Sequence, residues 1–122
     1  MSYWYLASPY SNYPDGREAA YQLALENTAI LMRAGVPVFS PIVHNHPIHL
    51  AAPGLGIALP DTHEFWVETV DRPMMQAAFG MILLRLYSWP KSRGVLAELA
   101  WFNSAMKPVI QMQPGVVPAE LI

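Results

Sequence analysis

The chain has 122 residues, enough for one compact domain with a modest core, so residues 1–122 are read as a single unit. With 53% apolar residues, 13% charged residues, only seven Lys and Arg and no basic cluster, the composition argues for a well-buried globular protein and against a nucleic acid polymer as partner. The absence of Cys excludes a disulfide framework and any thiolate metal site.

Tyr3 to Ser8 (YWYLAS) is a short aromatic and apolar run closed by Pro9, the pattern of a buried first strand. The loop that follows is rich in Ser, Pro, Asn, Asp and Gly. From Arg17 to Ala34, apolar residues and Asn27 recur at the 3.6-residue period, and Gly35 supplies a helix stop. Val36 to Val43 is predicted as a second strand, with Pro37 and Pro41 near its ends. His44 to Pro60 reads as an irregular loop, of a length that usually marks function. Thr62 to Val70 is predicted to be helical with Asp61 as cap, and Asp71 to cap a restarted turn after the break at Pro73. Gly80 to Leu86 is a third buried strand. Ala77 to Leu84 is the longest apolar run and far too short to span a bilayer, so no membrane role is expected. A helix over Gly94 to Met106 and a strand over Lys107 to Met112 complete the pattern. No signal peptide is evident, which makes the cytoplasm the expected location.

Strands alternating with helices predict a parallel α/β sheet with right-handed crossovers. Ligands in such sheets bind beyond the carboxyl ends of the strands. That end gathers the loops around 8–17, 43–61, Asp71 and 87–94.

Within KSRGVLAELAWF, Val95, Leu99, Phe102 and Met106 fall on one helical face, and Glu98 borders it. An ionised carboxylate against a core is costly unless it is paired or used. Ser92 and Gly94 open this helix, where free N–H groups attract an anion and Gly94 permits close approach. Glu98 lies about 9 Å further along the axis at 1.5 Å per residue, so a phosphate and a sugar carbon fit one small ligand. The alternative is that Ser92 caps the helix and Glu98 makes a structural hydrogen bond. Asp71 is a second carboxylate near the strand ends, and two carboxylates in one pocket can divide acid and nucleophile roles. Its alternative is a plain helix cap. In the first loop Tyr5, Ser8, Tyr10 and Arg17 could stack on a base, orient a carboxylate or pair with phosphate, while Arg17 also suits a solvated helix start. His44, His46, His49 and His63 invite a metal site, but no carboxylate lies within HNHPIH and HEFW lacks the second His of H-E-x-x-H. No metal or cofactor is expected, and His44 suits contact with a base or sugar. Trp89 stands in a loop where it could line a pocket.

Three segments in order resemble the nucleoside 2-deoxyribosyltransferase superfamily, which includes nucleoside 5′-monophosphate N-glycosidases. These are YLASPYS with the following RE, DRPMMQAAFGMILL, and SRGVLAELAWFNSAMKPVI with its S-x-G-x-x-x-E helix. The resemblance implies a flavodoxin/Rossmann-like parallel sheet of four to five strands, helices on both faces, and a homodimer or higher oligomer. It implies Glu98 as an ionised nucleophile on the anomeric carbon, Asp71 as proton donor or sugar-positioning group, and Tyr5 as the residue orienting Glu98. Lys91-Ser92-Arg93-Gly94 lacks the Asp of the base-exchanging transferases and is closer to the monophosphate hydrolases, in which the Ser helps hold phosphate. Pro9 departs from the small residue expected in the first loop. Hydrolysis of a nucleotide, exchange of bases, and nucleotide binding without turnover are the functions this reading carries forward.

Overall fold

The computed structural model describes residues 2–122. The first apolar run forms β1 (Trp4–Ala7), whose last three residues are fully buried. Helix α1 (Arg17–Arg33) buries Ala20, Ala24, Asn27, Thr28 and Leu31, the face its periodicity marks out. It stops at Gly35, whose φ of +81° suits a residue without a Cβ, while the Val36 N–H returns to the Leu31 carbonyl at 3.0 Å.

The next segment departs from the sequence expectation. Strand β2 (Val38–Phe39) has two residues, and the stretch read as a strand end and loop is instead helix α2 (Pro41–Ala51). Ser40 Oγ accepts the Val43 N–H at 3.2 Å, and Pro41 occupies the first turn, where its missing donor costs nothing. Pro47 lies inside this helix at an exposed position. A 3-10 turn, Ala52–Leu55, follows.

Helix α3 (His63–Trp66) is capped by Thr62 and not by Asp61, the Thr62 Oγ1 accepting the Phe65 N–H at 3.3 Å. It runs through a π turn, Val67–Asp71, into α4 (Arg72–Ala77). The expectation that Asp71 caps a restarted helix is therefore corrected: its φ and ψ of −65° and −48° are helical, and it makes no capping bond. The wide turn accommodates Pro73, whose ring would clash with the carbonyl four residues back in a regular helix.

Strand β3 (Gly80–Leu84) is buried throughout, which fits its unbroken apolar run. At Gly80 a Cβ would stand 2.5 Å from the Pro108 carbonyl oxygen and 2.8 Å from the Trp4 ring, so only glycine fits. Helix α5 (Arg93–Ser104) buries Val95 and Phe102 and partly buries Leu99. Met106 does not join that face: the helix ends at Ser104, and Met106 lies beyond it at φ +57° and 92% exposed. Strand β4 (Val109–Met112) completes the sheet.

All pairings are parallel, in the order β2-β1-β3-β4, the start of the flavodoxin-like order 2-1-3-4-5. One face of the sheet sets Tyr5, Ala7, Met81 and Leu83 against Met75 and Ala78 from the α4 end and Val95 and Phe102 of α5. The other sets Leu6, Ile82, Leu84 and Met112 against Leu31 of α1 and the tail residues Val117 and Leu121. The protein is thus a parallel four-stranded sheet with helices on both faces. The chain leaves β1 toward one edge and β3 toward the other, which makes their carboxyl ends the topological switch point. No helix among the described residues is long and apolar enough to cross a membrane.

Candidate functional site

At the switch point the loops after β1 and β3 enclose a cleft of about 290 Å³, lined by Pro9, Asn12 and Tyr13 on one side and Tyr87, Lys91 and Ser92 on the other. Ser92 is the N-cap of α5, its Oγ accepting the Val95 N–H at 3.3 Å, so the capping role is present and the residue also faces the cleft. Apart from its chain neighbours and the backbone of its own helix, no atom of the described residues lies within 4 Å of where a Gly94 Cβ would be, leaving the first turn of α5 open to a neighbour. At the end of β1, Ser8 is 6% exposed and its Oγ has no hydrogen-bond partner among the described residues. A buried hydroxyl without a partner is costly, which makes it a candidate for a ligand contact.

One and a half turns into α5, Glu98 is half-buried against the aromatic core. Tyr5 reaches it from β1, its phenol donating to Glu98 Oε2. Tyr5 itself packs against Phe39 and Phe102, with ring centroids 6.1 and 5.6 Å away. Burial pushes the Glu98 carboxyl up to about 8; the Tyr5 hydrogen bond opposes this, and the charge of Asp71 adds to it. Burial and the two carboxylates hold the Tyr5 phenol far above its ordinary range, so it stays a donor. Burial thus opposes the ionised form of Glu98 that the nucleophile role requires.

The second carboxylate reaches the same neighbourhood from the π turn. Burial raises Asp71 as well, and a hydrogen bond from Asn45 Nδ2 to Oδ1 at 2.9 Å pulls the other way. Asn45 is oriented in turn by His44, whose Nδ1 lies 2.7 Å from Asn45 Oδ1 and whose ring stands beside Phe39. With Asn45 donating to Asp71, the amide oxygen faces His44, which must donate from Nδ1. Trp89 packs on the Tyr5 cluster instead of lining the cleft.

Tyr10 and Arg17 belong to a separate network. The Arg17 guanidinium carbon sits 5.4 Å from the centre of the Tyr10 ring, a cation–π contact. The Tyr10 hydroxyl lies 2.6 Å from His46 Nδ1, and His46 Nε2 lies 2.8 Å from Glu18 Oε2. The His46 imidazole is 5% exposed and stacks on Tyr21 at 4.4 Å, whereas the Glu18 side chain is 66% exposed. Among the described residues no group of three or more His, Cys, Asp or Glu is arranged to hold a metal ion. The side chains of the HNHPIH motif instead tie α2 to its neighbours, Asn45 to Asp71 and His46 to Tyr10 and Glu18. Sequence reasoning singles out His46 only as a metal candidate and does not single out Glu18 or Asn45; a helical reading of 41–51 places Asn45 and His46 on neighbouring faces of one turn and is the signal that points to their roles.

Fold and site together define a small α/β domain of the Rossmann or flavodoxin-like kind, with residues placed for ligand binding or catalysis. Among the described residues no definitive catalytic motif or cofactor site stands out. Residues 2–114 match the family described as a domain of unknown function, DUF1937, and the chain belongs to that family. No curated protein matches the sequence.

Proposed function

We propose that this protein is an N-glycosidase that cleaves the base–sugar bond of a nucleoside 5′-monophosphate or a related nucleotide. The observation that carries the reading is the Tyr5–Glu98 hydrogen bond beside Asp71, two carboxyl groups raised by burial at the margin of an apolar wall. Such a pair holds one proton between its members across a range of pH. In the active form Glu98 passes its proton to Asp71 and becomes the nucleophile. Asp71 then protonates the departing base as the C–N bond breaks and the Glu98 oxygen bonds to the anomeric carbon. Water hydrolyses the glycosyl ester with the same two groups restoring the shared proton. The phosphate would sit at the open N-terminus of α5, with Ser92 and Lys91 at the cleft; the buried Ser8 hydroxyl at the end of β1 is a further donor.

The resemblance of the Ser92–Glu98 helix and of the Asp71 segment to the nucleoside 2-deoxyribosyltransferase superfamily supports the same reading. A homodimer or larger assembly belongs to it, and exposed Leu50, Leu55 and Ile57 supply an apolar surface for one. Light scattering on the purified chain checks the assembly. The test of activity is a screen of nucleosides and nucleotides for free base by chromatography, with Glu98→Gln as control. Release by the wild type and none by the variant is the expected result; equal release by both removes Glu98 from the mechanism. A second reading is a nucleotide-binding module without turnover. The burial that raises Glu98 favours it, since a neutral carboxyl can simply donate to a ligand. Tight binding with no base released across the panel supports that alternative.

A further inference from the structure

The Tyr10–His46–Glu18 network lies outside the carboxylate pair, and the proposed chemistry does not use it. Its polarity follows from counting donors and acceptors. Glu18 is held below the usual carboxylate range by hydrogen bonds from Gln22 and His46, so at neutral pH it is ionised and can only accept. The proton on that contact therefore belongs to His46 Nε2. With Nε2 as the one protonated nitrogen of the ring, Nδ1 offers only a lone pair, and the Tyr10 hydroxyl 2.6 Å away donates to it. Burial keeps the Tyr10 phenol protonated, with its proton committed to His46. What remains at the Tyr10 oxygen is acceptor capacity alone.

A tyrosine hydroxyl normally presents itself to a ligand as either donor or acceptor. Here the choice is removed. The imidazole is 5% exposed and stacked on Tyr21, which holds this orientation of the ring. Tyr10, by contrast, is only partly buried. It belongs to the same loop as Pro9, Asn12 and Tyr13, which line the cleft at the switch point. The adjacent α2 residue, Asn45, holds Asp71, so one turn of helix ties this loop to the carboxylate site.

We propose that Tyr10 is a specificity-determining residue, an obligate hydrogen-bond acceptor set by Glu18 through His46, which selects ligands presenting an O–H or N–H donor to the first loop. The ligand part of this rests on the nucleotide reading above. A sugar hydroxyl and an exocyclic amine of the base share that donor chemistry. A group with only lone pairs at that place would face the Tyr10 oxygen with no proton between them and be rejected.

The test has two arms. In the first, the protein is labelled with nitrogen-15 and the tautomer of His46 is read by NMR at neutral pH without ligand. Protonation at Nε2 with a bare Nδ1 is expected. A proton on Nδ1 overturns the proposal. In the second, calorimetry measures binding of adenosine 5′-monophosphate and of its 2′-deoxy, 3′-deoxy and 6-deamino analogues to wild type and Tyr10→Phe. One deletion should weaken wild-type binding about tenfold, the discrimination of one good hydrogen bond, and should leave Tyr10→Phe nearly unaffected. The deoxy pair and the deamino compound separate sugar from base as the source of the donor. Equal losses in both proteins overturn the specificity role. If no nucleotide binds wild type, the reading of the site as a nucleotide pocket falls instead, and the tautomer measurement still decides whether the network has the proposed polarity.

Discussion

Glu98 shows how burial and chemistry oppose each other at one residue. Its carboxyl is raised from about 4.5 to about 8, so between those values the folded protein holds a proton that the unfolded chain has released. Stability contributed by that group is complete below the lower value and is lost as pH rises toward the upper one, at up to ~1.4 kcal/mol per pH unit. Denaturant titrations across this range should show that slope in the wild type and a shallower one in Glu98→Gln. Identical slopes would mean that Glu98 is not the group responsible. The shared-proton scheme also fixes the form of the activity profile. Base release should fall above a pH of about 8, where the pair has lost its last proton, and should fall on the acid side where Asp71 is protonated as well. A rate that keeps climbing well into the alkaline range would show that no proton from this pair reaches the base. Little of this was legible in the chain. Glu98 bordering an apolar helical face marks it out, but its protonation depends on Tyr5 and Asp71, which are distant in sequence.

Among the elements, those with strong periodicity declared themselves. Strands β1 and β3 and helices α1 and α5 lie where apolar spacing and glycine stops place them. Residues 41–51 did not, because Ile, Val and two prolines mimic an extended run, while the decisive features, a Ser cap and Pro in the first turn, are local and weak. The π turn that carries Asp71 had no signature beyond Pro73. Two predictions belong to this scale. Ser92→Ala removes the cap of α5 and should cost about 1 kcal/mol in chemical denaturation. If Ser92 also meets phosphate, the same change weakens monophosphates more than the parent nucleosides; equal weakening assigns it to capping alone. The second concerns Lys107, whose Nζ donates to the carbonyls of Met75, Gln76 and Ala78 at 3.2, 2.6 and 2.7 Å, closing the end of α4. Lys107→Met should destabilise the fold by about 1–3 kcal/mol, because it leaves several carbonyls without their charged donor. An unchanged denaturation midpoint would show that solvent satisfies them equally well.

For the molecule as a whole, the order β2-β1-β3-β4 sets the switch point where parallel sheets of this kind bind ligands. The cleft, the α5 N-terminus and the unpartnered Ser8 hydroxyl all lie at that end. A nucleotide that binds only the folded form should therefore raise the melting temperature, with about 2.7 kcal/mol of stabilisation at a concentration one hundred times Kd. Differential scanning fluorimetry across nucleotides, nucleosides and bases reads this directly, and a shift with bases but none with phosphorylated compounds would count against the phosphate position. The parallel sheet was readable from alternation. The division of labour among the histidines was not, since it arises only once α2 packs beside α1.

Helix α2 is where these threads meet. Consecutive residues on it, Asn45 and His46, steady Asp71 on one side and Tyr10 on the other. A substitution that tilts this short segment has no way to injure one partner and spare its sibling. On the proposed reading, damage there should surface as simultaneous faults in chemistry and in choice of ligand, the behaviour of a common pedestal beneath two instruments.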